Sequence, residues 1–183
     1  MITTTRIKNV GTVKIDLDKI TRLREILERK FITQVGVLGV KAAGRMDQGK
    51  LQKKGGHAKA KTESDMSNAD IGLVHEKGSM SRGIPRRSFL FSPLVEKAEE
   101  LMTVRKRLWD KFIAGDQSDE SLRAAYRDLG IKAENIVHKA FDSGGFGTWQ
   151  KDSDQTIARK KSSAILIDTH QLERSIDSRV ATK

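Results

Sequence analysis

The chain has no cysteine among its 183 residues, which excludes disulfides, cysteine-based zinc sites and thiol catalysis. Aromatic residues make up only 5%, so the core must be modest. No apolar run approaches the roughly 20 residues that a membrane-crossing helix needs. The N-terminal Met1-Ile2-Thr3-Thr4-Thr5-Arg6 lacks the apolar region of a signal peptide, so a protein made and used in, or assembled from, a cytoplasm is expected. Charge is what the chain has in plenty. Charged residues reach 32%, with a formal net charge of +11. Such a balance suits a nucleic-acid or acidic-protein partner, or simply a well-hydrated surface. The length fits a single domain over 1–183.

The patterning alternates between strand and helix. Val13, Ile15 and Leu17 alternate with polar residues, the period of a half-buried strand. Ile20, Leu23, Ile26, Leu27 and Phe31 then recur at steps of three and four, which predicts a helix entered at Asp16 or Asp18. Ile32–Val40 is rich in β-branched residues and reads as a strand. Residues 44–68 change character: glycines, basic residues including Lys53 and Lys54, and only isolated apolar side chains. Such a segment cannot offset its own ordering entropy and reads as a flexible basic insert. Ala69–His75 looks like a strand. Ser92-Pro93 starts a helix running to Ala114, stopped by Gly115. Ser118 opens another to Leu129, with Gly130 as its stop, and Ile131–Asp142 forms a third with Ile136, Val137, Ala140 and Phe141 on one side. Asp168 with Gln171 resembles a capping box before a short helix, and a last strand covers Ile176–Val180.

No reactive constellation is recognisable from spacing. His75-Glu76 begins like a zinc-protease helix, but the second histidine would fall at Ser79. The pair reads instead as hydrogen-bonding groups at a strand end. The glycines at 144, 145 and 147 lack the spacing of a phosphate-cradling loop and read as a flexible turn around Phe146 and Trp149. Arg82, Arg86 and Arg87 cluster around Pro85 and suit an anionic surface or a solvated turn. A non-enzymatic protein without metal or cofactor is expected.

Three ordered segments carry a resemblance. They are Asn68-Ala69-Asp70-Ile71-Gly72-Leu73-Val74-His75-Glu76-Lys77-Gly78-Ser79 followed by Ile84-Pro85-Arg86-Arg87-Ser88-Phe89-Leu90; then Gly147-Thr148-Trp149-Gln150 with residues 156–161; then Leu166-Ile167-Asp168-Thr169-His170-Gln171-Leu172-Glu173-Arg174-Ser175-Ile176. Together they resemble the virion-morphogenesis and tail-completion proteins of tailed phages, minor virion proteins of the head–tail junction. Members usually have an aromatic where this chain has Lys77, and glycine where it has His170 after Asp-Thr.

The resemblance implies an α+β fold, several helices packed on a small mixed or antiparallel sheet. It also implies a structural subunit of a homo-oligomeric ring, six copies by analogy, at the virion neck. Its partners would be itself, adjacent neck and tail-terminator or tail-tube proteins, and DNA in the channel, with no membrane. The candidate contact residues are Arg82, Arg86, Arg87, Phe146, Trp149, Lys53 and Lys54. His75, Glu76, Pro85, Asp168 and Thr169 are expected to be structural, with Asp168 and Thr169 satisfying the free amides of a helix start. A basic nucleic-acid-binding protein is the alternative.

Overall fold

The computed structural model describes residues 2–7, 11–28, 31–42 and 66–182. Most of the basic segment at 44–68, with Lys53 and Lys54, lies outside the described residues; only its last three residues fall inside.

The fold is α+β. Strands β1 (Ile2–Ile7) and β2 (Gly11–Asp16) pair antiparallel, from Ile2 opposite Asp16 to Ile7 opposite Gly11. Helix α1 (Leu17–Glu28) follows directly. Strand β3 (Phe31–Val37) pairs antiparallel with the C-terminal strand β4 (Ile176–Thr182), from Phe31 opposite Thr182 to Val37 opposite Ile176. The small antiparallel sheet expected is the β3–β4 ladder, and β1–β2 forms a second, separate two-stranded ladder among the described residues. Between β3 and β4 come the helices: α2 (Gly39–Ala42), α3 (Asn68–Lys77), a 3₁₀ turn at Met80–Arg82, α4 (Phe91–Glu96), α5 (Ala98–Ala114), α6 (Asp119–Asp142), α7 (Asp154–Lys160) and α8 (Gln171–Arg174).

Two apolar clusters make the core. One holds Phe89, Val137, Ala140, Phe141, Trp149, Leu172 and Ile176; the other holds Ile26, Phe31, Phe112 and Leu122, with Trp109, Tyr126 and Val180 against it. Helix α6 reaches both, through Leu122 near its start and Val137, Ala140 and Phe141 near its end. The β3–β4 ladder does so too, since Phe31 belongs to the second cluster and Ile176 to the first. These elements are long because each must span from one cluster to the other.

Several expectations are corrected. The segment expected as a strand at Ala69–His75 is helix α3. The cap outweighs its β-branched composition: the Ser67 hydroxyl accepts from the Asp70 amide at 3.2 Å, and the Asp70 carboxylate accepts from the Ser67 amide at 3.0 Å. The Ser67 hydroxyl also donates to that carboxylate at 2.7 Å, and this bond first, then the one from the Ser67 amide, holds the Asp70 carboxyl below its ordinary value. This cap also ends the basic segment before position 68, and Asn68 is buried. Its amide donates to the Lys41 carbonyl, and its side-chain oxygen accepts from Gln171.

Gly130 is no stop. Helix α6 runs through it, and an added Cβ would lie 3.0–3.1 Å from Ser178 and Thr33. The missing side chain lets the helix lie on the β3–β4 ladder, and a close crossing is worth more there than the small helix propensity lost. The helix expected from Ser92 to Ala114 breaks at Lys97 (φ −98°, ψ 20°) into α4 and α5. Its start is Phe91 rather than Ser92, while Gly115 ends it as expected. On α1, Ile26 is buried, but Ile20 remains 52% exposed, so only the C-terminal half of the expected stripe meets the core.

Candidate functional site

The densest polar arrangement among the described residues joins the end of α3, the loop at 83–90 and the segment leading into α7. Its centre is Glu76, in the last turn of α3. One carboxylate oxygen accepts from the Ser88 hydroxyl at 2.5 Å and the Phe91 amide at 3.1 Å; the other accepts from the Phe89 and Leu90 amides, each at 3.0 Å. Three of these donors are backbone groups at the start of α4, where a helix leaves its N–H groups unpaired and favours negative charge. The Ser88 hydroxyl in turn accepts from the Ser92 amide at 2.9 Å. The hydroxyl that caps this helix is therefore Ser88, not Ser92, and the charge that caps it comes from another helix.

Beside this clamp lies a buried ion triad. The Arg87 guanidinium meets Asp152 at 2.9 Å, and Lys160 meets the other Asp152 oxygen at 2.7 Å, with all three side chains no more than 7% exposed. Nε of Arg87 donates to the Gln150 carbonyl at 3.0 Å, and Lys160 donates to the Ala164 carbonyl at 2.6 Å. A buried pair holds only where further hydrogen bonds satisfy its other donors, and these two carbonyls supply one to each cation. Trp149 is buried beneath, T-shaped against Phe141, its Nε1 donating to the Ser88 carbonyl at 3.2 Å. His75 completes the group: its carbonyl accepts from the Arg87 amide at 2.8 Å, while its Nδ1 is buried with no hydrogen-bond partner. Burial first, and then the Arg87 charge, push its pKa below the ordinary value, against the pull of Asp152.

The candidate residues divide. Glu76 is a hydrogen-bonding group as expected, though at a helix end, not a strand end. Arg87 and Trp149 are buried and tied into the fold, so the free contact role expected of them is corrected: the salt bridge and the indole packing consume the groups a partner would need. Arg82 and Arg86 are exposed, and Arg86 donates from Nε to the Glu76 carbonyl at 3.2 Å. Phe146 is half-buried at φ 55°, with the Lys97 ammonium 4.7 Å from its ring centre. Pro85 is half-buried just after the short bridge between Ser79 and Ile84. The loop around Phe146 and Trp149 is a hydrogen-bonded turn packed on the core, not the loose one expected.

Asp168 and Thr169 are exposed and do not cap α8. The cap position is His170, at φ 60°, with no side-chain capping bond. The left-handed backbone there turns the chain directly into the helix, leaving the two preceding side chains outside it. His170 Nδ1 lies 2.7 Å from a Glu173 oxygen.

Asp152, Lys160 and Ser88 are the members sequence reading missed. The helix α7 that carries Lys160 was signalled by Ser153, whose hydroxyl accepts from the Thr156 amide at 3.3 Å. Nothing local marks Asp152 as buried, because its partners come from opposite sides of the chain.

A separate cleft of about 370 Å³ lies between α5 and α6, lined by Leu108, Trp109, Ala125, Tyr126 and Leu129 together with Arg105 and Lys106. Among the described residues no three His, Asp or Glu side chains gather as a metal-ligand set, and no helix is long and apolar enough to cross a membrane. Comparison with family models, curated proteins and solved structures found no match to this chain.

Proposed function

We propose that this chain is a structural subunit of a tailed-phage virion, one copy of a ring at the neck that completes the tail and joins it to the head. The observation that carries the reading is where the resembling segments lie. Residues 68–79, 84–90, 147–150, 156–161 and 166–176 are far apart in sequence, yet they meet in one unit. Glu76 clamps the second to the first, Arg87 bonds the Gln150 carbonyl, and Leu172 packs in the same cluster as Phe89 and Trp149. An ordered set of weak motifs that also shares one folding unit supports common descent more than the motifs do singly.

The chemistry of that unit favours shape over reaction. Glu76 has both oxygens occupied by loop donors, and Asp152 is held between two cations. A ring also needs surface for its neighbours. Phe91 and Val95, one turn apart on α4, are 65% and 56% exposed, and Met102 on α5 is 60% exposed. Exposed apolar side chains of this kind are what an adjoining copy covers in a head-to-tail contact.

The reading is tested by imaging particles assembled without this chain. Separate DNA-filled heads and finished tails are the expected result; intact virions formed in its absence would refute it.

A further inference from the structure

The buried triad has an outer consequence. Its members sit in the chain beside exposed cations: Arg86 precedes Arg87, Lys151 precedes Asp152, and Arg159 and Lys161 flank Lys160. Arg82 lies on the turn just before this loop, and Lys77 follows Glu76, with Gly78 so close that a Cβ on it would lie 2.8 Å from the Arg86 amide nitrogen. All six are exposed. None has a carboxylate partner at ion-pair distance among the described residues.

The acids that would normally neutralise such a group are spent inside. Glu76 faces the loop amides, and Asp152 faces Arg87 and Lys160. On α5 and α6 three cations are paired, Lys106 with Asp110, Arg127 with Glu120 and Lys132 with Glu100, beside Arg105, Arg107 and Lys111, which are exposed without an ion pair among the described residues. Glu76 and Asp152 are thus withdrawn from this face, and the exposed Asp154 in the first turn of α7 makes no ion pair with it among the described residues.

We propose that these six residues, Lys77, Arg82, Arg86, Lys151, Arg159 and Lys161, form a binding face for the phosphate backbone of duplex DNA, without base preference. Two observations select this partner. A protein interface is anchored by large apolar or aromatic side chains, whereas the nearby aromatics Phe89 and Trp149 are buried and Met80 is the one large apolar residue exposed in 77–89, with Phe91 just beyond it. A single strand needs successive exposed rings to stack on, and Phe91 is the only exposed Phe, Trp or Tyr ring among the described residues. Cations on a framework held from beneath suit contacts to a regular array of phosphates. In the ring reading this face turns to the channel, but the binding belongs to the isolated subunit, so either idea can fail while the other stands.

The test is fluorescence anisotropy of the purified full-length chain with a random-sequence DNA duplex, titrated at several salt concentrations. With six phosphate contacts the slope of log affinity against log salt is about −5. The double reversal Arg82→Glu/Arg159→Glu is expected to weaken binding at least tenfold at about 100 mM salt and to flatten the slope by about 2. Lys106→Glu/Arg127→Glu changes the net charge equally on the paired surface and is expected to shift affinity less than threefold. The milder Arg82→Gln/Arg159→Gln should retain the fold, checked by near-ultraviolet circular dichroism, and still lose affinity. Equal losses in the two reversal pairs would reduce the effect to net charge and overturn the proposal, as would no loss in either. Polyglutamate bound while duplex is ignored would overturn it in favour of an acidic protein partner.

Discussion

Replacing Glu76 by glutamine probes the clamp with almost no change of volume. The carboxamide keeps one accepting oxygen but turns the other into a donor. If the oxygen stays toward Phe89 and Leu90, the NH₂ group faces the Phe91 amide and the Ser88 hydroxyl. The hydroxyl can rotate its proton away, since it already accepts from the Ser92 amide, but the Phe91 amide can only donate. Two charge-assisted bonds become neutral, each losing about 1 kcal/mol, and a third is lost with a donor left facing a donor. The sum is about 3–5 kcal/mol. For a chain of this size about 3 kcal/mol lowers the melting temperature by roughly 6–12 °C. Urea unfolding followed by far-ultraviolet circular dichroism gives the stability, and tryptophan emission reports the site, because the Trp149 indole donates to the Ser88 carbonyl in the same loop. A Glu76→Gln chain within about 0.5 kcal/mol of the parent, the scatter of ordinary surface changes, and with unaltered emission would refute the clamp.

Asp152→Asn removes the anion between two buried cations and is expected to cost about 3–5 kcal/mol, whereas replacing Arg87, Asp152 and Lys160 together by apolar residues should cost less than that single change; urea midpoints compare the two. Gly145→Ala places a methyl group within the Trp149 ring and adds strain at φ 69°, so a loss of about 3 kcal/mol or more is expected. Gly147→Ala, at φ 82° but with open space around it, should lose only about 1–2 kcal/mol in the same assay. The depressed pKa of His75 sets a pH dependence: below the ordinary value of 6.5 the unfolded chain takes up a proton that the folded one resists. Stability therefore falls as pH drops from there through the folded pKa, and His75→Gln should flatten that slope; an unchanged slope would show that other groups carry it.

What the sequence makes legible is local. The Ser118 cap, the Gly115 stop and the buried side of Ile136, Val137, Ala140 and Phe141 are read from spacing alone, because a helix repeats its face every few residues. The α+β class is legible for the same reason. Positions decided by tertiary approach are not. Gly130 looks like a stop until a strand is laid across it, and Gly72 sits where a Cβ would lie 3.3 Å from Phe89 and 3.5 Å from Leu172, contacts about 20 and 100 residues away. Ala69–His75 has a strand's composition, but its conformation was settled by the Ser67–Asp70 cap just upstream. Near the candidate site Arg82 and Arg86 stay exposed, whereas Arg87, of identical chemistry, turns inward because Asp152 awaits it from residues beyond α6. No window of sequence contains both.

Helix α6 touches both apolar clusters, at Leu122 and at Val137 to Phe141, across a rod of 24 residues. Neither cluster can therefore melt alone without stripping one end of a helix on which the other depends. The molecule should lose its structure in one event, and a tug delivered at one end is felt at the opposite end as displacement, with little absorbed as bending between them. That is the mechanical behaviour of an axle.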